Sequence, residues 1–200
     1  MQKNIRPWRL RVCLFLGLCC LLSPLDSWAA APSADSAAVQ KSLKSFIAAI
    51  RYGKDAIAIK YISCEDMAQA LLGDSAAQMT AEQRQQFTAG LATLLQRLSF
   101  PKGRDLFKYL DAVLYDPATA QGDQVHCRST VVVHRDLKKQ EIPIEWVLVK
   151  RAGQYKVLDI VTAGESTTAA IRQDQILPLL KQGGVDALLA AVREKIATTP

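Results

Sequence analysis

Two hundred residues, half of them apolar, are enough for one domain with a sizeable core and too few for two comfortable ones. The formal net charge of +6 is mild, which excludes the dense Lys/Arg face of a nucleic-acid binder and favours weakly anionic surfaces such as lipid headgroups.

Residues 1–29 have the layout of a secretory signal peptide, and so point to export. Lys3, Arg6, Arg9 and Arg11 make a basic start, Val12 to Leu22 is an apolar run of eleven residues, and Ser27 and Ala29 are the small residues that precede a cut. A membrane span needs about 20 apolar residues, so this run is too short to be an anchor. Leu18 stands where a small residue should precede a lipidated cysteine, which argues against attachment through Cys19. Cleavage after Ala29 removes four of the 25 basic residues and one of the 19 acidic ones, leaving a net charge of +3. Three of the five cysteines leave with the signal. Cys64 and Cys127 then meet an oxidising compartment, either as a disulfide or as two separately buried thiols.

An Ala/Ser/Pro-rich leader over residues 30–38 is expected to be flexible, followed by a single domain over residues 39–197. Val39, Leu43, Phe46, Ile47 and Ile50 recur at threes and fours, which predicts a helix from near Ser36 to Tyr52 with one buried stripe, stopped at Gly53. Shorter helices are predicted over Asp55 to Tyr61 and Glu65 to Leu72, with a break at Gly73-Asp74. Thr80 and Gln83 suit a capping box for a helix running to about Ser99, with Phe87, Leu91, Leu94, Leu95 and Leu98 on one face. Phe100-Pro101-Lys102-Gly103 reads as a turn, and Arg104 to Tyr109 as a further short helix.

From Leu110 the pattern changes to strands over Ala112 to Tyr115, Gln124 to His134, Ile142 to Lys150 and Gln154 to Thr162. The last two are joined at Arg151-Ala152-Gly153, a hairpin-length connection. Helices first and then an antiparallel meander indicate an α+β domain, its helices packed on a sheet of about four strands. Ile142, Ile144, Trp146 and Leu148 alternate with Pro143, Glu145, Val147 and Val149, so both faces of that strand are substantially apolar. Either protein covers both sides of the sheet, or one face lines a cavity. The chain then breaks at Gly164 and ends in two helical segments separated by Gly183 and Gly184.

Motifs for catalysis are lacking. His126 and His134 share a face of the long strand but lie about 27 Å apart at ~3.4 Å per residue, too far to share a metal. Gly164-Glu165-Ser166 fails the G-x-S-x-G pattern because Thr168 stands at the second glycine. Asp159 is the one acidic residue of the last strand. It is either a carboxylate accepting backbone hydrogen bonds near Gly164 or a general base in a pocket. No cofactor is expected.

Gln154-Tyr155-Lys156-Val157-Leu158-Asp159, Gly164, Ser166, Ile171-Arg172, Gly184-Val185-Asp186 and Leu188-Leu189 resemble, in this order, the C-terminal signature of the toluene-tolerance family of MlaC-like periplasmic phospholipid-binding proteins. Thr80-Ala81-Glu82-Gln83-Arg84-Gln85-Gln86-Phe87 and Ile142-Pro143-Ile144 look like two of the family's upstream segments. Tyr155 stands where the family usually has tryptophan, and Glu165 where an apolar residue is usual.

The resemblance implies an α+β fold similar to nuclear transport factor 2, with an apolar cavity between helices and curved sheet that holds phospholipid acyl chains. It implies a monomeric carrier moving lipid between an outer-membrane lipoprotein complex and an inner-membrane ABC transporter complex, and it tips the two-sided strands toward a cavity. Leu91, Leu94, Leu95, Ile144, Trp146, Leu148 and Val157 are the expected lining by their single-face spacing, with closed core as the alternative for each. Arg172 is the expected headgroup contact, or else a solvated helix charge. Three alternatives stay open: a carrier of a hopanoid or another apolar molecule, a small isomerase or hydrolase using Asp159, and an interaction subunit whose apolar face binds a protein.

Overall fold

The computed structural model describes residues 35–199; the expected signal peptide over 1–29 and the leader residues 30–34 lie outside the described residues. The end of the leader, expected to be flexible, is helical. The Asp35 carboxylate accepts the Ala38 N–H at 3.1 Å, and α1 (Ser36–Arg51) starts on that cap. The predicted stripe of α1 is buried throughout. After Gly53 come α2 (Asp55–Ala58), a 3-10 turn (Ile59–Tyr61) and α3 (Cys64–Leu72).

A second 3-10 segment (Gly73–Gln78) leads into α4 (Ala81–Leu94), whose capping box forms in both directions. The Gln83 N–H donates to Thr80 Oγ1 at 3.1 Å, and the Thr80 N–H to Gln83 Oε1 at 2.9 Å. The expected turn at Phe100-Pro101-Lys102-Gly103 is helix instead. Past Leu94 the helix widens into a π turn (Leu95–Ser99) and continues as α5 (Phe100–Phe107). The widened turn accommodates the proline, which in a regular helix would clash and remove a hydrogen bond. Gly103 serves close packing: a Cβ there would lie 3.2 Å from Ile50 Cγ2 of α1.

The strands are β1 (Leu110–Tyr115), β2 (Thr119–Gln121), β3 (Gln124–Arg135), β4 (Lys138–Arg151), β5 (Gln154–Thr162) and β6 (Glu165–Ser166). They make one antiparallel sheet in the order β1-β3-β4-β5-β6, with β2 also paired to β3. The four long strands are the predicted ones. β2 and β6, three and two residues long, are too short for alternation to reveal. β4 starts earlier than predicted, at polar Lys138, because Asp136 and Leu137 at φ +52 and +61 form a tight hairpin turn that keeps the ladder going into solvent. The β4–β5 register slips between Val147 and Leu148, and such a bulge bends the strand and increases the sheet's twist.

The chain closes with α6 (Thr167–Ile171), a second π turn (Arg172–Ile176) and α7 (Leu177–Thr198), which bends at Gly183 and Gly184. The main core joins α1 to one sheet face through Val39, Leu43, Phe46, Val131, Trp146 and Leu148. A second cluster, with Leu71, Leu72, Phe87, Leu188 and Leu189, joins α3, α4 and α7. On the other sheet face Val147, Val149 and Leu158 make a small third cluster, so the two-sided apolar pattern of β4 buries something on each side. Arg151 holds Asp66 of α3 with two hydrogen bonds, at 2.9 and 2.6 Å, and so fixes that helix against the hairpin. The same guanidinium keeps the Asp66 carboxyl below its ordinary value.

Candidate functional site

Between α1, the long helix over residues 81–107 and the sheet lies a cavity of ≈ 300 Å³. The sheet supplies Ile144 and Trp146 from β4 and Val157 and Ile160 from β5. The helices supply Phe46 and Ile50 from α1, Met67 and Leu71 from α3, and Leu91, Leu95, Ser99, Gly103 and Phe107 from the long helix. Few of its lining groups are polar: Ser99 on the long helix, and Asp159, Thr167 and Thr168, which cluster where β5 meets α6. Trp146 anchors the sheet side: it is 1% exposed, its Nε1–H donates to Ser129 Oγ at 2.8 Å, and its ring meets Phe46 edge-on at 6.2 Å.

Leu91, Leu95, Ile144, Trp146 and Val157, predicted as lining, do line this cavity. Leu148 does not. It shares a face with Ile144 and Trp146 but lies further along β4, where α1 packs directly on the sheet and leaves it 0% exposed in closed core. Leu94 is also outside the wall, half-buried on the flank of its stripe. Sequence reasoning missed Phe100, Leu106 and Phe107 because their segment read as a turn followed by an unassigned helix. The signal was available: Leu91, Leu95, Ser99, Gly103 and Phe107 are spaced at fours straight through Pro101, and all five line the cavity.

A family model described as MlaC protein matches residues 35–194. The chain belongs to the MlaC family. Among solved structures the fold is similar to a phospholipid-binding protein from Ralstonia solanacearum in complex with a phospholipid. That match has 23% identity and a TM-score of 0.66, and covers 81% of this chain and 96% of the other. Two looser matches carry no weight. One is a chain named Rd1NTF2, with a TM-score of 0.35 at 14% identity over 61% of this chain and 93% of that one. The other is a protein of unknown function from Mycobacterium tuberculosis, with a TM-score of 0.30 at 10% identity over 80% and 87%. No curated protein matches the chain.

In this MlaC-family chain Asp159 is the acidic group in the cavity wall, and it accepts four hydrogen bonds. Oδ1 accepts the Ile160 N–H at 2.8 Å, the Thr168 N–H at 2.9 Å and the Thr168 hydroxyl at 2.8 Å, while Oδ2 accepts the Ser166 hydroxyl at 2.5 Å. Three of these donors fall on Oδ1 and one on Oδ2, so Asp159 ties β5 to the start of α6. Asp159→Ala is expected to destabilise the fold by about 2–3 kcal/mol, since it strands buried donors at Thr168. Asp159→Asn, which retains an acceptor, is expected to cost less. Urea unfolding checks both; unchanged stability with a loss of some turnover would favour the general-base reading.

The considered pairing of Cys64 with Cys127 is not formed; both thiols are free. The Ser63 N–H donates to Val157 O of β5, so Cys64 starts α3 at that strand, whereas Cys127 lies on β3 with β4 between. Two strand spacings are about 10 Å, beyond the ~7 Å that a disulfide bridges between Cα atoms. Burial pushes the Cys127 thiol up to about 11. His126 Nδ1 lies 2.6 Å from Glu145 Oε1, and His134 Nδ1 lies 3.5 Å from Asp111 Oδ2, so each histidine has its own acidic neighbour. Among the described residues no cluster of three or more His, Cys, Asp or Glu could hold a metal, and no helix is long and apolar enough to cross a membrane.

Arg172 does not line the cavity; it follows the lining Ile171 in sequence and opens the second π turn. Its guanidinium lies over Gly73, where a Cβ would come 2.5 Å from Nη2, and its Nε is buried with no hydrogen-bond partner among the described residues. Neither property was legible from the isolated Ile171-Arg172 pair.

Proposed function

We propose that this protein is a periplasmic carrier that holds phospholipid acyl chains in the cavity and moves the lipid between the outer membrane and an inner-membrane ABC transport complex. The observation that carries this reading is the apolar cavity of ≈ 300 Å³ enclosed by α1, the long helix and the sheet in a chain of the MlaC family. The phospholipid bound in the similar fold from Ralstonia solanacearum supports the ligand class.

Each methylene kept from water contributes about 0.8 kcal/mol, and a bilayer offers nearly the same. Carriage is therefore close to an exchange, in which the cavity removes the barrier of crossing water and needs no catalyst. Direction comes from a difference in lipid affinity at the two docking partners, or from ATP hydrolysis at one. The cavity is at the small end of the roughly 300–1,000 Å³ range of ligand pockets, so loading a two-chain lipid moves its walls apart. Leu91, Leu95, Ile144, Trp146 and Val157 contact the chains, and Arg172, next in sequence to the lining Ile171, meets the headgroup phosphate, for which a planar guanidinium is suited.

Native mass spectrometry of the protein purified from cells, followed by organic extraction, tests the proposal: stoichiometric phospholipid is the expected result. An empty protein that turns over a small polar substrate, or one loaded with a different apolar molecule, sinks it. For the headgroup contact, Arg172→Glu is expected to lower retained phospholipid about tenfold, equivalent to ~1.4 kcal/mol, in the same assay. Unchanged retention makes Arg172 a plain helix charge.

A further inference from the structure

β1 has β3 as its only strand neighbour, and its other side is free among the described residues. The strand reads Leu110-Asp111-Ala112-Val113-Leu114-Tyr115, five of six apolar, yet none of these residues is buried, and Leu114 is 61% exposed. Proteins ordinarily blunt such an edge with lysine, proline or a covering element. β1 has no lysine or proline within it, only an irregularity between Leu110 and Ala112.

The direction of its backbone groups follows from one hydrogen bond. The Asp116 N–H donates to Arg128 O at 2.9 Å, which fixes the phase of the β1–β3 ladder. In an antiparallel pair alternate residues exchange both backbone bonds. Leu114 and Ala112, opposite Thr130 and Val132, therefore turn their N–H and C=O toward β3. Val113 and Tyr115 turn theirs outward, and no described group bonds to them there.

Along this edge runs a groove of ≈ 220 Å³ between β1 and α1, with Lys44, Ile47 and Arg51 on the helix side and Val113 and Tyr115 on the strand side. α1 contains no acidic residue. Lys44 and Arg51 lie over aromatic rings, 5.8 Å from the centroid of Tyr115 and 5.9 Å from that of Tyr52, and neither has a carboxylate partner among the described residues. Asp111, the acid in the groove, already faces His134. The Tyr115 hydroxyl is buried without a hydrogen-bond partner among the described residues.

We propose that β1 is a docking edge for an extended acidic segment of a partner protein, which adds to the sheet as a further strand and sets its carboxylates against Lys44 and Arg51. Backbone bonds to Val113 and Tyr115 provide affinity, and the cationic wall of α1 selects for charge. Lys44 and Arg51 are two helical turns apart, about 10.5 Å along the axis, which is about three residues of strand; side chains alternate faces along a strand, so acidic residues two or four apart on the segment meet both. A second copy of this chain is a poorer occupant, because two-fold pairing through β1 brings the two cationic α1 walls together. The proposal stands whatever the cavity holds.

The test is backbone amide hydrogen exchange on the purified protein, titrated with a short peptide alternating glutamate with valine and, separately, with its lysine–valine counterpart. The acidic peptide is expected to slow exchange at Val113 and Tyr115 about tenfold or more, and the basic one to leave it unchanged. The double variant Lys44→Glu with Arg51→Glu is expected to weaken the acidic peptide at least about tenfold. Val113→Pro removes an outward N–H and no bond to β3, so it is expected to abolish the protection with near-ultraviolet circular dichroism unchanged. If that variant does not fold, the charge variant decides. Protection by neither peptide, equal protection by both, or protection that develops with protein concentration alone overturns the proposal.

Discussion

Replacing Leu95 with glutamate is expected to empty the cavity while the fold survives. Leu95 opens the π turn that widens the long helix, and its side chain lines the cavity together with Leu91 of the same helix and Trp146 and Val157 of the sheet. It borders open space and is only half-buried, so a side chain of similar length enters without displacing packed neighbours. A carboxylate there has apolar surroundings; it either draws water into the site or shifts its pKa upward. Ionised, it opposes acyl chains, and retained phospholipid is expected to fall at least about tenfold in native mass spectrometry, equivalent to ~1.4 kcal/mol. The sign with pH follows from burial: the folded-state pKa of the new carboxyl is raised, so lipid retention recovers as pH falls through that raised value. Leu95→Met, which keeps the wall apolar, should retain lipid. A folded Leu95→Glu protein with undiminished phospholipid at neutral pH removes Leu95 from the binding surface.

Trp146→Ala acts on stability first. The side chain is almost fully buried, donates to Ser129 Oγ at 2.8 Å and meets the Phe46 ring at 6.2 Å. Truncations of this kind cost about 3–5 kcal/mol. The upper end is expected, because the void joins an existing cavity of ≈ 300 Å³ and the walls cannot collapse onto it. For a domain of this size that is a fall in Tm of roughly 6–20 °C, measurable by thermal or urea unfolding of the delipidated protein. Trp146→Phe keeps the ring and loses the N–H, so the gap between the two variants isolates aromatic packing from the single hydrogen bond. Lipid retention normalised to folded protein should change far less in Trp146→Ala than in Leu95→Glu, since the larger void stays apolar. A loss below about 1 kcal/mol, less than the usual cost of a buried hydrogen bond to a neutral group, shows that the sheet side of the cavity is not built on this residue.

Much of this molecule could be read along the chain because the signals are local. The stripe of α1, the Thr80–Gln83 box and the alternation of β3, β4 and β5 depend on residues a few positions apart, and each formed as predicted. The family signature around residues 154–189 is likewise a linear pattern, and the family match contains it. Local signals misled at Pro101, where a turn was the sensible reading: the helix continues past proline as α5, which packs against α1, a partner about fifty residues away in sequence.

The cavity itself was beyond that kind of reading. Ile144, Trp146 and Leu148 have identical alternation, yet the first two border open space and the third is closed core. The distinction depends on how far α1 and the long helix are held from the sheet at each level. That Ser166 and Thr168 converge on Asp159, and that two strand widths separate Cys64 from Cys127, was likewise decided by the tertiary arrangement. Periodicity belongs to one segment and tells which face is buried. A cavity is the gap left between several segments, and its walls are set by the distances at which their packed side chains hold one another apart.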